Sequence, residues 1–214
     1  MLYSAKDIHM SYGELEVLKG ANLEIGEAET VALSGASGAG KSTMLSICGL
    51  LLDPTSGTLE FEGQDLLSLD DEAKAELRNN RFGFIFQSSQ LVGYLTLREN
   101  ILLPAMISGK KGYEEKAEAL LADLNLAERM HHYPHQLSVG QQRRALVARA
   151  LLLDPVLVFA DEPTNDLDAE NAEIVERSLL ELPSKGCSAL IVSHDSELVN
   201  KAMRVTHLDS GHID

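Results

Sequence analysis

A chain of 214 residues is long enough for one sizeable domain, with or without a smaller subdomain, and its 44% hydrophobic and 24% charged residues are those of a globular protein. With 18 basic residues against 33 acidic ones the formal charge is −15, which argues against a broad basic nucleic-acid footprint and against attraction to anionic headgroups, but allows a local basic site for a phosphate ligand. The opening MLYSAKDIHM has no basic or apolar region of the signal-peptide kind, and the most apolar stretch, ALVARALLLDPVLVFADE, is broken by Arg149, Asp154 and Pro155. It falls short of the ~20 apolar residues that a membrane span needs. Cys48 and Cys187 have no metal-ligand spacing and read as two buried thiols in a reducing compartment, so the chain is expected to be cytosolic.

In chain order, the stretch to residue 28 reads as short antiparallel strands with turn residues, and TVALSG (30–35) as a strand apolar on both faces. A helix over 41–50, an antiparallel strand at GTLEFEG (57–63) and a helix over 70–79 follow, then the apolar run FGFIFQ (82–87). Residues 97–133 are mainly helical and predict a small helical subdomain inserted between two sheet strands. Helices over 138–153 and 170–182 alternate with the apolar runs PVLVFADE (155–162) and SALIVSHD (188–195), the last read as the final strand. Strands apolar on both faces suit the centre of a parallel sheet covered by helices. The expectation is an α/β fold: a parallel-sheet core, N-terminal antiparallel β strands and an inserted helical subdomain. No repeat, low-complexity tract or linker divides the chain, so 1–214 is expected to be a single domain. Within it, 1–86 and 155–214 form the core and about 87–154 the helical part.

SGASGAGKST (34–43) carries the clearest chemistry. Gly35, Ala36, Ser37, Gly38, Ala39, Gly40, Lys41 and Ser42 fit G-x-x-x-x-G-K-[ST] at every fixed position, and Thr43 completes the stretch. Because the pattern follows a buried strand and opens a helix, it reads as a phosphate-binding P-loop. Its glycines let successive N–H groups curl into an anion nest, to which the helix N-terminus adds. Lys41 is placed to reach the β- and γ-phosphates, and the Ser42 hydroxyl to ligate Mg2+. The order G-x-x-G-x-G does not fit the dinucleotide fingerprint. LVFADEP then carries Asp161 and Glu162 to the carboxyl end of a buried strand, where ligands of such sheets bind. Asp161 is expected beside Ser42 as a metal carboxylate, and Glu162 as the general base for the attacking water. The bland alternative, an acidic pair opening a turn before Pro163, loses ground beside a full P-loop.

LSVGQQRRALVARAL (137–151) begins with Ser138 and Gln141 at capping-box spacing, and a helix start so capped is also an anion site. With the P-loop and the Asp-Glu pair, this segment makes the chain resemble the ATP-binding cassette (ABC) ATPases, whose signature is LSGGQ followed by a basic helix. The likeness runs over essentially the whole chain, with the motifs in the family's order. It implies that Ser138, Gly140 and Gln141 meet the γ-phosphate bound by the opposite subunit, and that Tyr12 in SYG stacks on the adenine. It implies that Gln87 touches the metal and the water and senses the membrane partner, that Asp168 in TNDLD works across the dimer interface, and that His194 contacts the γ-phosphate. The resemblance therefore implies an ATP-hydrolysing homodimer around two ATP-Mg2+. Such a dimer drives an integral-membrane permease from the inner face of the cell membrane, with the Gln87 loop and helical subdomain forming the groove for the permease's cytoplasmic helix.

Val139 replaces the first signature glycine, and a β-branched residue is strained wherever φ is positive. Ala28 stands where a Gly-Glu pair usually precedes the P-loop strand and reads as a tolerable turn change, and Asn165 and Asp166 vary a common small-residue pair. FQSSQLVGYLTLRENILLP, with Phe86, Gln87, Asn100 and Pro104, resembles the branch of lipoprotein-release, macrolide-export and cell-division ATPases. HHYPH (131–135) offers two histidines four apart, but Pro134 obstructs the helix that would align them, so a solvated loop is expected there. The competing functional class is a regulatory module that dimerises on ATP with little turnover. A soluble nucleotide kinase would have no use for residues 137–141.

Overall fold

The computed structural model describes residues 1–88 and 90–213. β1 (Tyr3–Tyr12) turns through Gly13, at φ 62°, into the antiparallel β2 (Leu15–Ile25), and this hairpin pairs Tyr3 with Ile25. β3 (Thr30–Ser34) leads into α1 (Lys41–Cys48), after which β4 (Ser56–Phe61) returns to pair with β1, and β5 (Gln64–Asp65) with β4. The first sheet is thus the antiparallel set β2-β1-β4-β5.

The remaining elements build the second sheet and its cover. α2 (Asp71–Arg81) precedes β6 (Phe82–Ile85); α3 (Leu97–Ile107), α4 (Glu114–Asp123) and α5 (Val139–Leu151) follow before β7 (Leu157–Asp161). Then come α6 (Ala169–Leu180), β8 (Ser188–Val192), α7 (Ser196–Lys201), β9 (Arg204–Asp209) and β10 (His212–Ile213). The order β10-β9-β3-β8-β7-β6 is parallel from β9 to β6, with β10 antiparallel at the edge. β8 is therefore not the final strand. In β9 only Thr206 and Leu208 are buried, so it lacks the continuous apolar run by which the central strands are recognised.

Period-two alternation assigns the sheet's two faces. Leu157, Phe159, Leu190, Val192, Val31 and Leu33 join α1 and the first sheet in one core, while Val158, Ala160, Ala189 and Ile191 join α3 to α6 in the other. A sheet so covered needs both residue sets apolar, which explains the unbroken hydrophobic runs. Cys48 and Cys187 are buried free thiols, and burial pushes both up to about 12, so neither is a reactive thiolate.

Two buried polar side chains fix the helical layer. Asn100 on α3 donates to the carbonyls of Val92, Leu95 and Thr96 at 3.0–3.1 Å and accepts from the Val92 N–H at 2.7 Å. Arg144 on α5 donates to the Leu124 carbonyl at 2.6 Å, satisfying a carbonyl at the end of α4. His132 meets Arg129 at 3.2 Å and the ring of His135 stacks on Tyr133; among the described residues no group of metal-ligating side chains forms. No helix among the described residues is long and apolar enough to cross a membrane.

Candidate functional site

The carboxyl ends of β3, β6, β7 and β8 surround a cavity of about 500 Å3. Ser37, Gly38, Gly40, Lys41, Ser42 and Thr43 line it from the P-loop side, and Gln87, Glu162 and His194 face them. Val17 on β2 also lines it.

The loop's glycines have specific causes. Gly35 lies at φ 146°, and a β-carbon there would stand 2.1 Å from the Leu208 carbonyl oxygen, so β9 presses the loop too closely for any side chain. Gly40, at φ 105°, precedes α1 and supplies no side-chain cap, which leaves the first amides of α1 directed at the cavity for an anion. The buried Lys41 donates to the carbonyls of Gly35 and Ala36 at 2.8 and 2.9 Å, so its charge is held within the loop.

Ser42 Oγ donates to Asp161 Oδ1 at 3.2 Å, across the width of β8. Burial raises the Asp161 carboxyl above its ordinary range and Glu162 adds to the rise, while the Ser42 hydrogen bond and Lys41 oppose it. Glu162 follows at φ 46°, a left-handed conformation that is uncommon outside glycine. Its Oε2 accepts from the His194 backbone N–H at 3.2 Å and lies 2.8 Å from His194 Nδ1, which must be the donor to a carboxylate. The site thus brings together a cationic nest, a hydroxyl, two carboxylates, an amide and an imidazole.

Other residues named from the sequence lie elsewhere on the chain. Ser138 caps α5: its hydroxyl accepts from the Gln141 N–H at 3.2 Å, and Gln141 Oε1 accepts from the Ser138 N–H at 3.0 Å. Val139 is the first residue of α5, is absent from the residues with positive φ and is exposed, so the strain that a left-handed geometry would impose does not arise. Gly140 packs flat on Asn171, whose side chain a β-carbon would meet at 2.3 Å. Asp168 caps α6 and accepts from the backbone and side-chain amides of Asn171 at 2.8–2.9 Å, bonds that hold its carboxyl below the usual range. Tyr12 ends β1 half-exposed and is not among the residues lining the cavity.

Val17 escapes sequence reasoning because an apolar residue in a strand carries no motif. Ala28 does adopt a left-handed conformation, φ 49°, so it is a strained substitute and not a neutral one. Ser89, within the stretch that marks the branch, lies outside the described residues.

Residues 18–165 match the family described as ABC transporter. The chain is 42% identical to the lipoprotein-releasing system ATP-binding protein LolD of Porphyromonas gingivalis, over 99% of this chain and 98% of that one. It is 43% identical to the macrolide export ATP-binding/permease protein MacB of Escherichia coli K12, over 99% of this chain but only 34% of that longer protein. A dimeric bacterial ABC transporter cassette superposes with a TM-score of 0.93 at 33% identity, over 100% of this chain and 97% of that one. A dimeric post-hydrolysis cassette bound to ADP and Pi gives 0.90 at 35% identity, with the same coverage of both chains. With the family matched over more than half its length and a relative above 40% identity end to end, the chain belongs to the ABC transporter family, as an ATP-hydrolysing ATP-binding subunit.

Proposed function

We propose that two copies of this chain close around two ATP molecules and that the resulting cycle drives an integral-membrane permease, with the ATPase held peripherally at the inner membrane face. Each ATP rests on the P-loop, Lys41 and α1 of one copy and is closed by Ser138, Gly140, Gln141 and Asp168 of the other. Two observations support the division. Ser138 and Val139 at the capped α5 N-terminus are exposed, and neither they nor Gly140 line the cavity of their own chain. Tyr12, at the end of β1, supplies the ring for the base.

Ser42, Asp161 and Gln87 offer only oxygen donors of the hard kind, and the raised Asp161 carboxyl is the mark of a buried charge that a cation relieves; the set fits Mg2+. When bound, the ion neutralises charge on the β- and γ-phosphate oxygens. The chain's own residues do the rest. Lys41 exchanges its loop carbonyls for phosphate oxygens, a gain in charge-assisted bonding. The Glu162 carboxylate, whose Oε2 is bonded to His194, accepts the proton of the attacking water, while His194 fixes the carboxylate and reaches the γ-phosphate from the end of β8.

The permease side is supported by a second cavity of about 140 Å3, where Phe84, Phe86 and Pro104 meet Arg78, Arg149 and Leu153 beside the Gln87 loop. α3 adds the exposed Met106 and Ile107. An apolar floor with basic edges suits an amphipathic cytoplasmic helix of a permease. The relatives point the same way: one is named for a lipoprotein-releasing system and the other carries its permease in the same protein.

The convergence of Lys41, Ser42, Glu162 and His194 on one cavity, with Asp161 bonded to Ser42, carries this reading. ATP titration of Lys41→Ala tests it: triphosphate binding should be lost while the fold, followed by circular dichroism, is kept. Tight ATP binding by Lys41→Ala would overturn the phosphate site.

A further inference from the structure

α5 carries three arginines that end on backbone carbonyls, and among the described residues none of them lies within ion-pair distance of a carboxylate. Arg144 meets the end of α4, and Arg149 reaches the Gln90 carbonyl at 2.9 Å. Arg143 is the special case. It is only 5% exposed, and its two terminal nitrogens donate to the carbonyls of Phe86 and Gln87, each at 2.7 Å.

Those two carbonyls flank the α-carbon of Gln87. A planar fork that grips both fixes the backbone on either side of Gln87, the one residue among the described residues of this loop that lines the nucleotide cavity. Burial lowers the Arg143 pKa, and the nearby Asp166 opposes that fall, so the guanidinium also feels the loop that carries Asp168. A buried guanidinium held only by carbonyls is costly to desolvate, and the two short bonds are its compensation.

Ser138 and Gly140 stand at the N-terminus of the same helix, about one turn before Arg143. α5 moves as a rigid rod on this scale, so a nucleotide that draws its N-terminus also displaces the fork. Resting on the shared-site reading above, we infer that Arg143 is a positioning residue that ties nucleotide bound at the α5 N-terminus, from the partner subunit's site, to the setting of Gln87 in this chain's own site. The two ATP sites of the dimer are then coupled through α5.

Hydrogen exchange of residues 86–91 tests the link in a Glu162→Gln background, with dimerisation followed by light scattering. ATP-Mg2+ should drive dimerisation and slow exchange in this segment. Adding Arg143→Gln should leave the ATP-driven dimer and abolish the ATP-dependent slowing, and in the Glu162 protein it should lower the Hill coefficient of hydrolysis toward unity. Slowing that survives Arg143→Gln in a formed dimer would overturn the inference.

Should Arg143→Gln fail to fold, Arg143→Lys keeps the charge but not the two-carbonyl fork, and should give the same loss. Ser138→Arg supplies a readout independent of position 143. Its own P-loop still binds ATP, and 86–91 should show no ATP-dependent slowing; slowing there would place the signal in the chain's own nucleotide and overturn the link. A Glu162→Gln protein that never dimerises would instead contradict the shared site itself, a distinct result.

Discussion

Asp161 is held where its charge is unfavourable, and that has a measurable consequence. Its carboxyl is raised by burial first, with the Ser42 bond opposing and Glu162 adding to the rise. For an acid with a raised folded-state pKa, the ionised form costs stability above that pKa, and the cost fades as pH falls below it. Asp161→Asn should therefore raise the melting temperature of the nucleotide-free protein near neutral pH, by the ~0.5–2 kcal/mol that relief of a functional-site conflict gives. The gap between variant and parent should narrow toward acid, and ATP turnover should be lost. A variant that melts lower than the parent at neutral pH would contradict this assignment of strain. Ala28 offers a second case. Its φ of 49° favours glycine, so Ala28→Gly should stabilise by about 1 kcal/mol, seen as a rise in melting temperature of roughly 2–4 °C. The sequence marks the departure at this position but not its backbone conformation, because a turn's handedness is set by the strands it joins.

At the scale of elements, the helical layer depends on polar anchors more than its apolar composition suggests. Asn100 is fully buried, and its amide is surrounded by three carbonyls. Asn100→Asp turns donors into an acceptor facing acceptors and should cost at least ~3 kcal/mol, more than Asn100→Ala, which leaves those carbonyls unpaired without adding a buried charge. Urea unfolding of the two variants checks the order, and equal destabilisation would mean that the carbonyls find other partners. The same distinction explains which elements the sequence reveals. β3, β6, β7 and β8 are legible because they are apolar on both faces. β9 is not, because only Thr206 and Leu208 are buried and its outward face carries Val205, His207 and Asp209, so no continuous apolar run marks it. The P-loop is legible because its fixed residues form one contiguous pattern, even though Gly35 also owes its identity to the distant Leu208. The clasp of Arg143 on Phe86 and Gln87 is not, because a backbone carbonyl has no residue identity to read.

For the whole molecule, the candidate site is legible to the extent that its pieces lie at strand ends, where parallel topology gathers them. Gln87, the consecutive pair Asp161 and Glu162, and His194 are far apart in sequence and come together in space for that reason. What the sequence cannot convey is which chain each contact serves, and here the separation of the α5 N-terminus from its own cavity is informative. The central claim is that two chains share each ATP. Glu162→Gln keeps size and hydrogen-bonding reach but removes the base, so turnover should fall on the order of 10²-fold or more while ATP still binds and persists. Since each chain carries a formal charge of −15, low salt opposes association, and the assay belongs at moderate ionic strength. Light scattering of Glu162→Gln with and without ATP-Mg2+ is the most direct measurement. A dimer that appears only with ATP-Mg2+, and is lost when Ser138→Arg is added, is the predicted result; a monomer at saturating ATP would contradict the shared site.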